Sequence, residues 1–128
     1  MKYSIGISLV VGAAIGAIGA TAMQDLHAQA RLAAYSVSEI EISDQAAYAP
    51  ISEILQAENK KMGAKSLARG GKIEVVEGTA PKRVVINQWP SMDDAKKFYS
   101  SAVVKKAFED RKKFTSNQRT FIVEALPN

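Results

Sequence analysis

The chain beyond about residue 30 predicts an α+β fold, with one antiparallel sheet and helices on one face of that sheet. Segments of strand-like composition and segments with helical spacing follow one another in the order β-α-β-β-α-β. Three strands carry apolar residues on both faces, which indicates a sheet covered on both sides. The order is that of a split β-α-β, ferredoxin-like domain, and roughly 98 residues suffice for one domain but not for two.

Residues 32–42 form the first predicted strand, because they are rich in β-branched and aromatic side chains. Tyr35 and Val37 fall on one face of this strand, and Ile40 and Ile42 fall on the other. The alternation breaks between the two pairs. That break indicates either a strand covered on both faces or a strand with a bulge.

A helix is predicted next, with an N-cap at Ser43 or Asp44 and a C-cap glycine at Gly63. Pro50 lies inside the pattern, and we expect it to kink the helix or to begin a second helical segment. The positions that recur at helical spacing are Tyr48, Ile51, Leu55, Glu58 and Met62.

Two short strand-like runs follow at residues 64–69 and 72–77, with the pair Gly70-Gly71 between them. A phosphate-binding loop would need a helix N-terminus and a Lys-Ser/Thr pair after the glycines, and neither follows. We therefore interpret the pair as a bend or bulge in a strand. Residues 78–81 are predicted to form a turn.

The second half of the domain repeats the strand-helix-strand pattern. Ser91, with Asp94 three residues later, is a capping-box variant that predicts the start of a helix. Ser100-Ser101 interrupts this helix before a second helical stretch, and residues 119–126 form the final strand. Alternation in the strand at residues 82–89 places Val84 and Ile86 on one face and Val85, Asn87 and Trp89 on the other.

The first thirty residues have the pattern of a secretory signal peptide. Lys2 supplies a positive charge, residues 5–23 are uncharged, and Ala28-Gln29-Ala30 has the small-x-small form of a cleavage site. An uncleaved membrane anchor is the alternative, since roughly 17–25 apolar residues span a bilayer. We expect residues 1–30 to be a signal peptide and residues 31–128 to be a ferredoxin-like domain that is periplasmic or secreted.

Removal of residues 1–30 limits which catalytic and metal-binding side chains the remaining domain contains. The 17 basic and 13 acidic residues each lose one, so the net charge stays at +4. His27, the single histidine, is lost, and the chain has no cysteine. Ser-His and Cys-His catalysis and His- or Cys-ligated metal sites are thereby excluded from the domain. An oxygen-ligand site at Asp93-Asp94 is the alternative that stays open, although helix capping already explains these two acids. We expect no metal and no cofactor, and the catalytic residues are unknown.

Nucleic acid is not an expected partner, although the domain is basic. Lys105 with Glu109, and Lys106 with Asp110, are i,i+4 pairs typical of a solvated helix. Aromatic residues that would stack on bases are not interleaved with these lysines. No stable membrane partner is expected unless the leader remains attached.

Five blocks of residues, in this order and at these intervals, resemble domain-of-unknown-function family 1330. They are Asp44 to Tyr48, Ala68-Arg69-Gly70-Gly71, Glu77-Gly78, Trp89-Pro90-Ser91 and the helix with Ala95, Tyr99 and Ser101. The resemblance covers residues 33–125 and implies a ferredoxin-like fold of the dimeric α/β-barrel superfamily. It implies no catalytic residue, since the activity of the family is not established. The wider superfamily includes cofactor-free monooxygenases, isomerases and haem enzymes.

Five residues are candidates for a ligand site. Arg69, which by alternation shares a face with Leu67, either forms an ion pair or binds an anionic or carbonyl ligand at the rim of a cavity or dimer interface. Asn87 either makes a structural hydrogen bond or orients a ligand. Trp89 and Tyr35 either line a pocket or belong to the core, and Tyr48 and Tyr99 are further aromatic residues with the same two possible roles. Glu39, on the face of Tyr35, would serve as a general base if it faced the cavity.

Two function classes follow from these residues. The first is a homodimeric binding module that holds a small, partly apolar ligand between the sheet and the helices. The homodimer is expected because a large exposed apolar sheet face is rare in a soluble monomer. The second is a cofactor-independent monooxygenase or isomerase that acts on a small activated substrate. The lack of a histidine base counts against the enzyme.

Overall fold

The computed structural model describes residues 31–128, and the predicted signal peptide at residues 1–30 lies outside the described residues. Within the described part, Leu32–Asn128 form one compact unit. None of the helices in this part is long and apolar enough to cross a membrane. The elements are β1 (Ala34–Ile42), α1 (Gln45–Lys61), β2 (Lys65–Arg69), β3 (Arg83–Trp89), α2 (Met92–Ser100), α3 (Ala102–Arg111), a 3-10 turn (Lys112–Phe114) and β4 (Thr115–Glu124).

The four strands form one antiparallel sheet in the order β2-β3-β1-β4. Val37 in β1 lies opposite Ile86 in β3 and opposite Phe121 in β4, so the two central strands and one edge strand are in register there. This order confirms the predicted α+β, ferredoxin-like arrangement.

The two faces of the sheet differ in what covers them. Ala34 and Trp89 are buried in a core cluster with Ala95, Phe98 and Val104 from the helices, so this side is the helix face. On the opposite side, called the open face below, the side chains are half-buried or exposed. Its side chains, assigned by the register, include Tyr35, Val37, Glu39, Val84, Ile86, Arg119, Phe121 and Val123.

The ends of α1 follow the expected chemistry. Asp44 is the N-cap, because its side chain accepts a hydrogen bond from the backbone N–H of Ala47 at 3.0 Å. Gly63 follows the helix with φ of +82°, and its N–H bonds to the carbonyl of Lys60 as in a Schellman motif. Pro50 does not begin a second segment, since α1 is one helix through it. It lies in the second turn, where it removes one backbone donor.

The interruption between the other two helices is also confirmed. Ser91 accepts from the N–H of Asp94 at 3.2 Å and donates to its carboxylate at 2.7 Å. Ser101 separates α2 from α3, and its hydroxyl accepts from the N–H of Val104 at 3.4 Å. Local capping chemistry therefore sets both helix starts.

The strand expected at residues 72–77 is absent, and residues 70–82 form a connection without regular structure. Strand-like composition does not supply a partner strand. Val75 and Val76 are exposed, Val76 at 99%, so neither buries its side chain against the described residues. The N–H of Gly70 still bonds to the carbonyl of Val84 at 2.9 Å, after which the chain leaves the sheet.

The final strand begins four residues earlier than predicted, at Thr115, and ends at Glu124. The early part was missed because residues 115–118 are polar. The pairing of β1 with β4 shifts between Glu39 and Glu41, where β4 carries an additional residue and Asn117 has a φ of +50°. The break in the alternation of β1 thus coincides with a bulge in its pairing with β4.

Candidate functional site

A cavity lies between the helix face of the sheet and the helices, with a volume of about 50 Å³. Residues of β1, β3 and all three helices line it, so the fold itself builds the enclosure. Its apolar walls are formed by Ile40, Leu55, Val85, Phe98 and Phe108. The remaining lining residues are polar or charged, which is unusual for the centre of a small domain.

Three buried polar atoms that belong to lining residues have no hydrogen-bond partner among residues 31–128. They are the side-chain oxygens of Asn59 and Asn87 and the Nε of Arg83. Asn87 is only 5% exposed. A buried polar group without a partner costs about 1–3 kcal/mol, so three around one cavity are a feature that needs an explanation.

Arg111 contributes a buried charge to the same cavity. The residue is 7% exposed, and its guanidinium carbon lies 3.7 Å above the centre of the Phe108 ring. Burial lowers the pKa of Arg111 from its ordinary value, and the neighbouring hydroxyl groups of Tyr48 and Tyr99 partly oppose that shift. The ring of Phe108 stabilises the charge by a cation–π contact.

Tyr99, which is on α2, lies beside Arg111. Burial raises the pKa of its phenol, while the hydroxyls of Ser36 and Ser38 and the charge of Arg111 partly oppose the increase. Its ring meets the rings of Phe98 and Phe108 edge to face, with centroids 4.9 and 5.7 Å away. The phenol is therefore neutral at physiological pH and is available as a hydrogen-bond donor.

The lining carries positive charge without compensation. Arg69, Arg83 and Arg111 line the cavity, and none of the lining residues is a carboxylate. In the part of the chain that the structure describes, the ion pairs use other cations: Lys61, Lys106, Lys112 and Arg119. Within residues 31–128, no group of three His, Cys, Asp or Glu side chains is placed to hold a metal ion.

The glycine at the end of β2 is explained by Arg83. Gly70 has a φ of +66°, and a Cβ atom built on it would overlap the guanidinium of Arg83. Gly70 therefore provides both a left-handed bend and the space in which this guanidinium lies. The second glycine, Gly71, has no neighbour within 4 Å of such an atom.

Arg69 and Asn87, two of the five candidates, line the cavity, and so do Tyr48 and Tyr99. The register of β2 shifts between Ser66 and Ala68, and Leu67 has no partner in the pairing, so a face shared by Arg69 and Leu67 stays a prediction. Arg69 itself lies on the helix face at the cavity, where it donates a hydrogen bond to the Ser66 hydroxyl at 3.0 Å.

Trp89 lies in the core beside the cavity. It is 1% exposed, its Nε1 donates to the Ser36 hydroxyl at 2.9 Å, and its ring lies 4.8 Å from that of Phe98. The nitrogen of the indole thus has a partner inside the protein.

Tyr35 and Glu39 lie on the open face, across the sheet from the cavity. The carboxylate of Glu39 accepts two hydrogen bonds from the Arg119 guanidinium, at 2.8 and 2.9 Å. The structure therefore does not bring Glu39 together with Asn87.

Three cavity residues were not among the sequence candidates, although a signal existed for each. Arg111 and Asn59 each fall on the apolar stripe of a helix, four residues after Ala107 and Leu55 respectively. Arg83 lies on the same face of β3 as Asn87, four residues before it. A polar residue on a buried stripe is a candidate for a site, and these positions fit that rule.

Two wider depressions adjoin the cavity. One, of about 390 Å³, lies between α1 and β2 and shares Gln56, Asn59 and Arg69 with the cavity lining. The other, of about 620 Å³, is mostly apolar and shares Tyr99 and Phe108 with it. The first is called the α1–β2 groove below.

Comparison with known sequences gives one match. The family model described as "Domain of unknown function (DUF1330)" matches residues 33–126. No curated protein matches the chain significantly.

Comparison with solved structures gives distant matches. A protein of unknown function from Rhodopseudomonas palustris has a TM-score of 0.62 at 14% identity, over 77% of this chain and 85% of that one. A cofactor-independent oxygenase from Streptomyces nogalater has a TM-score of 0.55 at 9% identity, over 76% and 96%. A dimeric protein of unknown function and ferredoxin-like fold from Bacteroides fragilis has a TM-score of 0.50 at 10% identity, over 73% and 96%. At these identities the likeness concerns the fold alone.

Proposed function

Since the chain belongs to the DUF1330 family, whose name leaves its activity open, we propose from its own geometry that it is a homodimeric module that binds a small, partly apolar molecule. The binding site is the cavity between the helix face and the helices. The carrying observation is the set of three unpartnered polar atoms, on Asn59, Arg83 and Asn87, around that one cavity. A bound molecule that pairs with them removes the cost of their burial.

The walls support a ligand that is only partly polar. Ile40, Val85 and Phe98 offer apolar surface to the same cavity that the asparagines and arginines line. Sites for small molecules commonly combine apolar walls with a few polar groups that fix orientation. The arrangement here has both components within one enclosure.

A second copy of the chain is proposed as the cover of the open face. Phe121 and Val123 are 45% and 49% exposed there, and Val37 and Ile86 lie beside them in the register. A contiguous apolar face of this kind is typical of an interface. The ferredoxin-like protein from Bacteroides fragilis is dimeric, which supports the same assembly for this fold.

Export is the remaining part of the proposal and rests on residues 1–30 alone. Expression of the full chain in a bacterial host, followed by N-terminal sequencing, tests it. We expect the protein in the periplasmic or secreted fraction with Arg31 as its first residue. If the protein is found in the membrane fraction and begins at Met1, residues 1–30 are an uncleaved membrane anchor and not a signal peptide.

Binding is tested by native mass spectrometry and a thermal-shift screen against a library of small metabolites. Asn87→Leu places an apolar side chain against the cavity and is expected to abolish any shift. The matched control is Gln88→Leu, the next residue of the same strand, which points to the open face. A ligand that binds wild type and Asn87→Leu equally would show that the cavity is not the site.

An enzymatic alternative is a cofactor-independent monooxygenase or isomerase. One observation favours it: the buried Arg111 and the half-buried Tyr99 lie beside each other at the cavity, where they would stabilise negative charge that develops on a substrate. No carboxylate lines the cavity within the described residues, so the substrate would have to lose its proton readily. Oxygen uptake with an activated phenol or enol as substrate distinguishes this alternative from binding alone.

A further inference from the structure

The charge of the cavity is more specific than a general binding role requires. Arg69, Arg83 and Arg111 all line it, and no lining residue is acidic. Ordered water would satisfy the hydrogen bonds of a buried guanidinium but would not neutralise its charge. Arg111 is buried, Arg83 is half-buried and Arg69 is exposed. An unpaired charge is costly where it is buried, so an anion is the natural complement of this cluster at Arg111.

The unpartnered atoms add a second requirement. The Nε of Arg83 needs an acceptor, whereas the side-chain oxygens of Asn59 and Asn87 need donors. A simple carboxylate supplies acceptors only. A complementary ligand therefore carries an anionic acceptor and, close to it, a group that donates a hydrogen bond.

The volume of the cavity limits the size of the ligand's polar part, which carries the anionic acceptor and the donor group. A water molecule needs about 10–15 Å³ by the same measure, so about 50 Å³ holds roughly four waters or a group of four to five heavy atoms. A carboxylate with one adjacent carbon and its hydroxyl is of that size. A larger ligand has to place its remainder outside the cavity.

We infer that the cavity selects a small hydroxycarboxylate, with its carboxylate toward the arginines and its hydroxyl donating to an asparagine oxygen. Arginine suits this role because the planar guanidinium pairs with a carboxylate through two hydrogen bonds. The inference rests on the proposed function and names the class of molecule that the same site takes.

The α1–β2 groove offers room for the rest of such a molecule. It adjoins the cavity through Gln56, Asn59 and Arg69, and its volume is about 390 Å³. Ala57 and Ala64 give it apolar surface, and Lys60 adds a further positive charge. The remainder of the acid therefore extends toward the edge of the sheet at β2.

Four small probes separate the two requirements. Glycolate has the charge and the hydroxyl, acetate lacks the hydroxyl, glycolamide lacks the charge, and inorganic phosphate is an anion without the carboxylate. Dissociation constants are measured by NMR titration of the purified protein at constant ionic strength. We expect glycolate to bind about tenfold more tightly than acetate and than glycolamide, because each lost partner leaves a buried group unpaired.

Two variants tie the binding to the named atoms. Arg83→Gln is expected to weaken glycolate about tenfold while leaving glycolamide little changed, and Asn87→Ala is expected to reduce the advantage of glycolate over acetate. The matched control for the first is Arg119→Gln, an arginine on the open face that is paired with Glu39. Chemical shifts elsewhere in each spectrum report that the variant is folded.

The outcomes are distinct. Equal affinity for glycolate and glycolamide would show that the site does not require an anion. Equal affinity for glycolate and acetate would show that it does not require the hydroxyl group. Tighter binding of phosphate than of glycolate would show that it does not prefer a carboxylate. If neutral molecules of the library bind in the cavity while the acids do not, the inference fails and the binding function stands. If no molecule perturbs residues around the cavity, both fail.

Discussion

The guanidinium of Arg83 lies against Gly70, in the space that a Cβ atom would occupy in any other residue. A residue at the end of an edge strand thus sets the position of a side chain from the neighbouring strand. Because Arg83 lines the cavity, the backbone of Gly70 is part of what shapes the site.

Gly70→Ala is therefore expected to be destabilising and to displace Arg83. An alanine in the left-handed region costs about 1–2 kcal/mol, whereas the overlapping guanidinium, which ends a flexible side chain, moves away at little further cost. Gly71→Ala is the control, since its Cβ would meet nothing within 4 Å. Urea unfolding of both variants measures the difference. A Gly70→Ala protein as stable as Gly71→Ala would show that residue 70 is not held in the left-handed region in solution.

Ser36→Ala is expected to weaken the core through Trp89. The Ser36 hydroxyl accepts the hydrogen bond of the buried indole nitrogen at 2.9 Å, and the alanine leaves that donor unpaired. The expected loss in the free energy of unfolding is about 1–3 kcal/mol. Urea denaturation followed by the fluorescence of Trp89 measures it. Ser116→Ala, at an exposed position of β4, is the control and should stay near wild type.

The pH dependence of stability is expected to report Tyr99. Burial raises the pKa of its phenol above the ordinary value of 10.0, so the unfolded chain releases this proton at a lower pH than the folded chain does. The stabilising contribution is complete below pH 10.0 and is lost as the pH rises through the higher pKa of the folded state. Tyr99→Phe should make the alkaline decline of the melting temperature shallower.

The control for this prediction is Tyr35→Phe, which removes a phenol from the open face. It should retain the alkaline decline of wild type. If both variants lose stability with pH as steeply as wild type, Tyr99 is not the group responsible.

Val37→Glu is expected to prevent formation of the proposed dimer. Val37 lies opposite both Ile86 and Phe121 in the middle of the open face, and the dimer would have to bury a carboxylate there among apolar side chains. Sedimentation analysis should give a dimer for wild type and a monomer for the variant. The control is Val103→Glu, an exposed valine at the start of α3. A monomeric wild-type protein at micromolar concentration would contradict the proposed assembly.

The fold could be predicted from the sequence because helix caps and strand alternation depend on residues that are close together in the chain. Asp44, Ser91 and Ser101 each cap a helix through atoms three residues away, and Gly63 ends one by its own backbone freedom. Alternation assigned the faces of β1 and β3 correctly for the same reason. Where an extra residue intervenes, as at the bulge in β2 beside Leu67, alternation alone does not fix the faces of the residues that follow.

Only part of the cavity could be predicted from the sequence. Asn59, Arg83 and Arg111 come from three separate elements, and nothing in the neighbourhood of each residue in the sequence indicates that their side chains line one space. Composition likewise suggested a strand at residues 72–77, but pairing requires a partner and buried side chains, which Val75 and Val76 lack. Contacts distant in the sequence decide both features.

The ion pair between Glu39 and Arg119 has a consequence for how two copies would meet. It lies on the same face as Val37 and Phe121, so a partner that packs on this face also meets a charged pair joined by two hydrogen bonds. Sliding one sheet across the other would bring that patch against apolar side chains and strip it of solvent. The pair therefore favours one alignment of the two sheets over others that would bury the same apolar area.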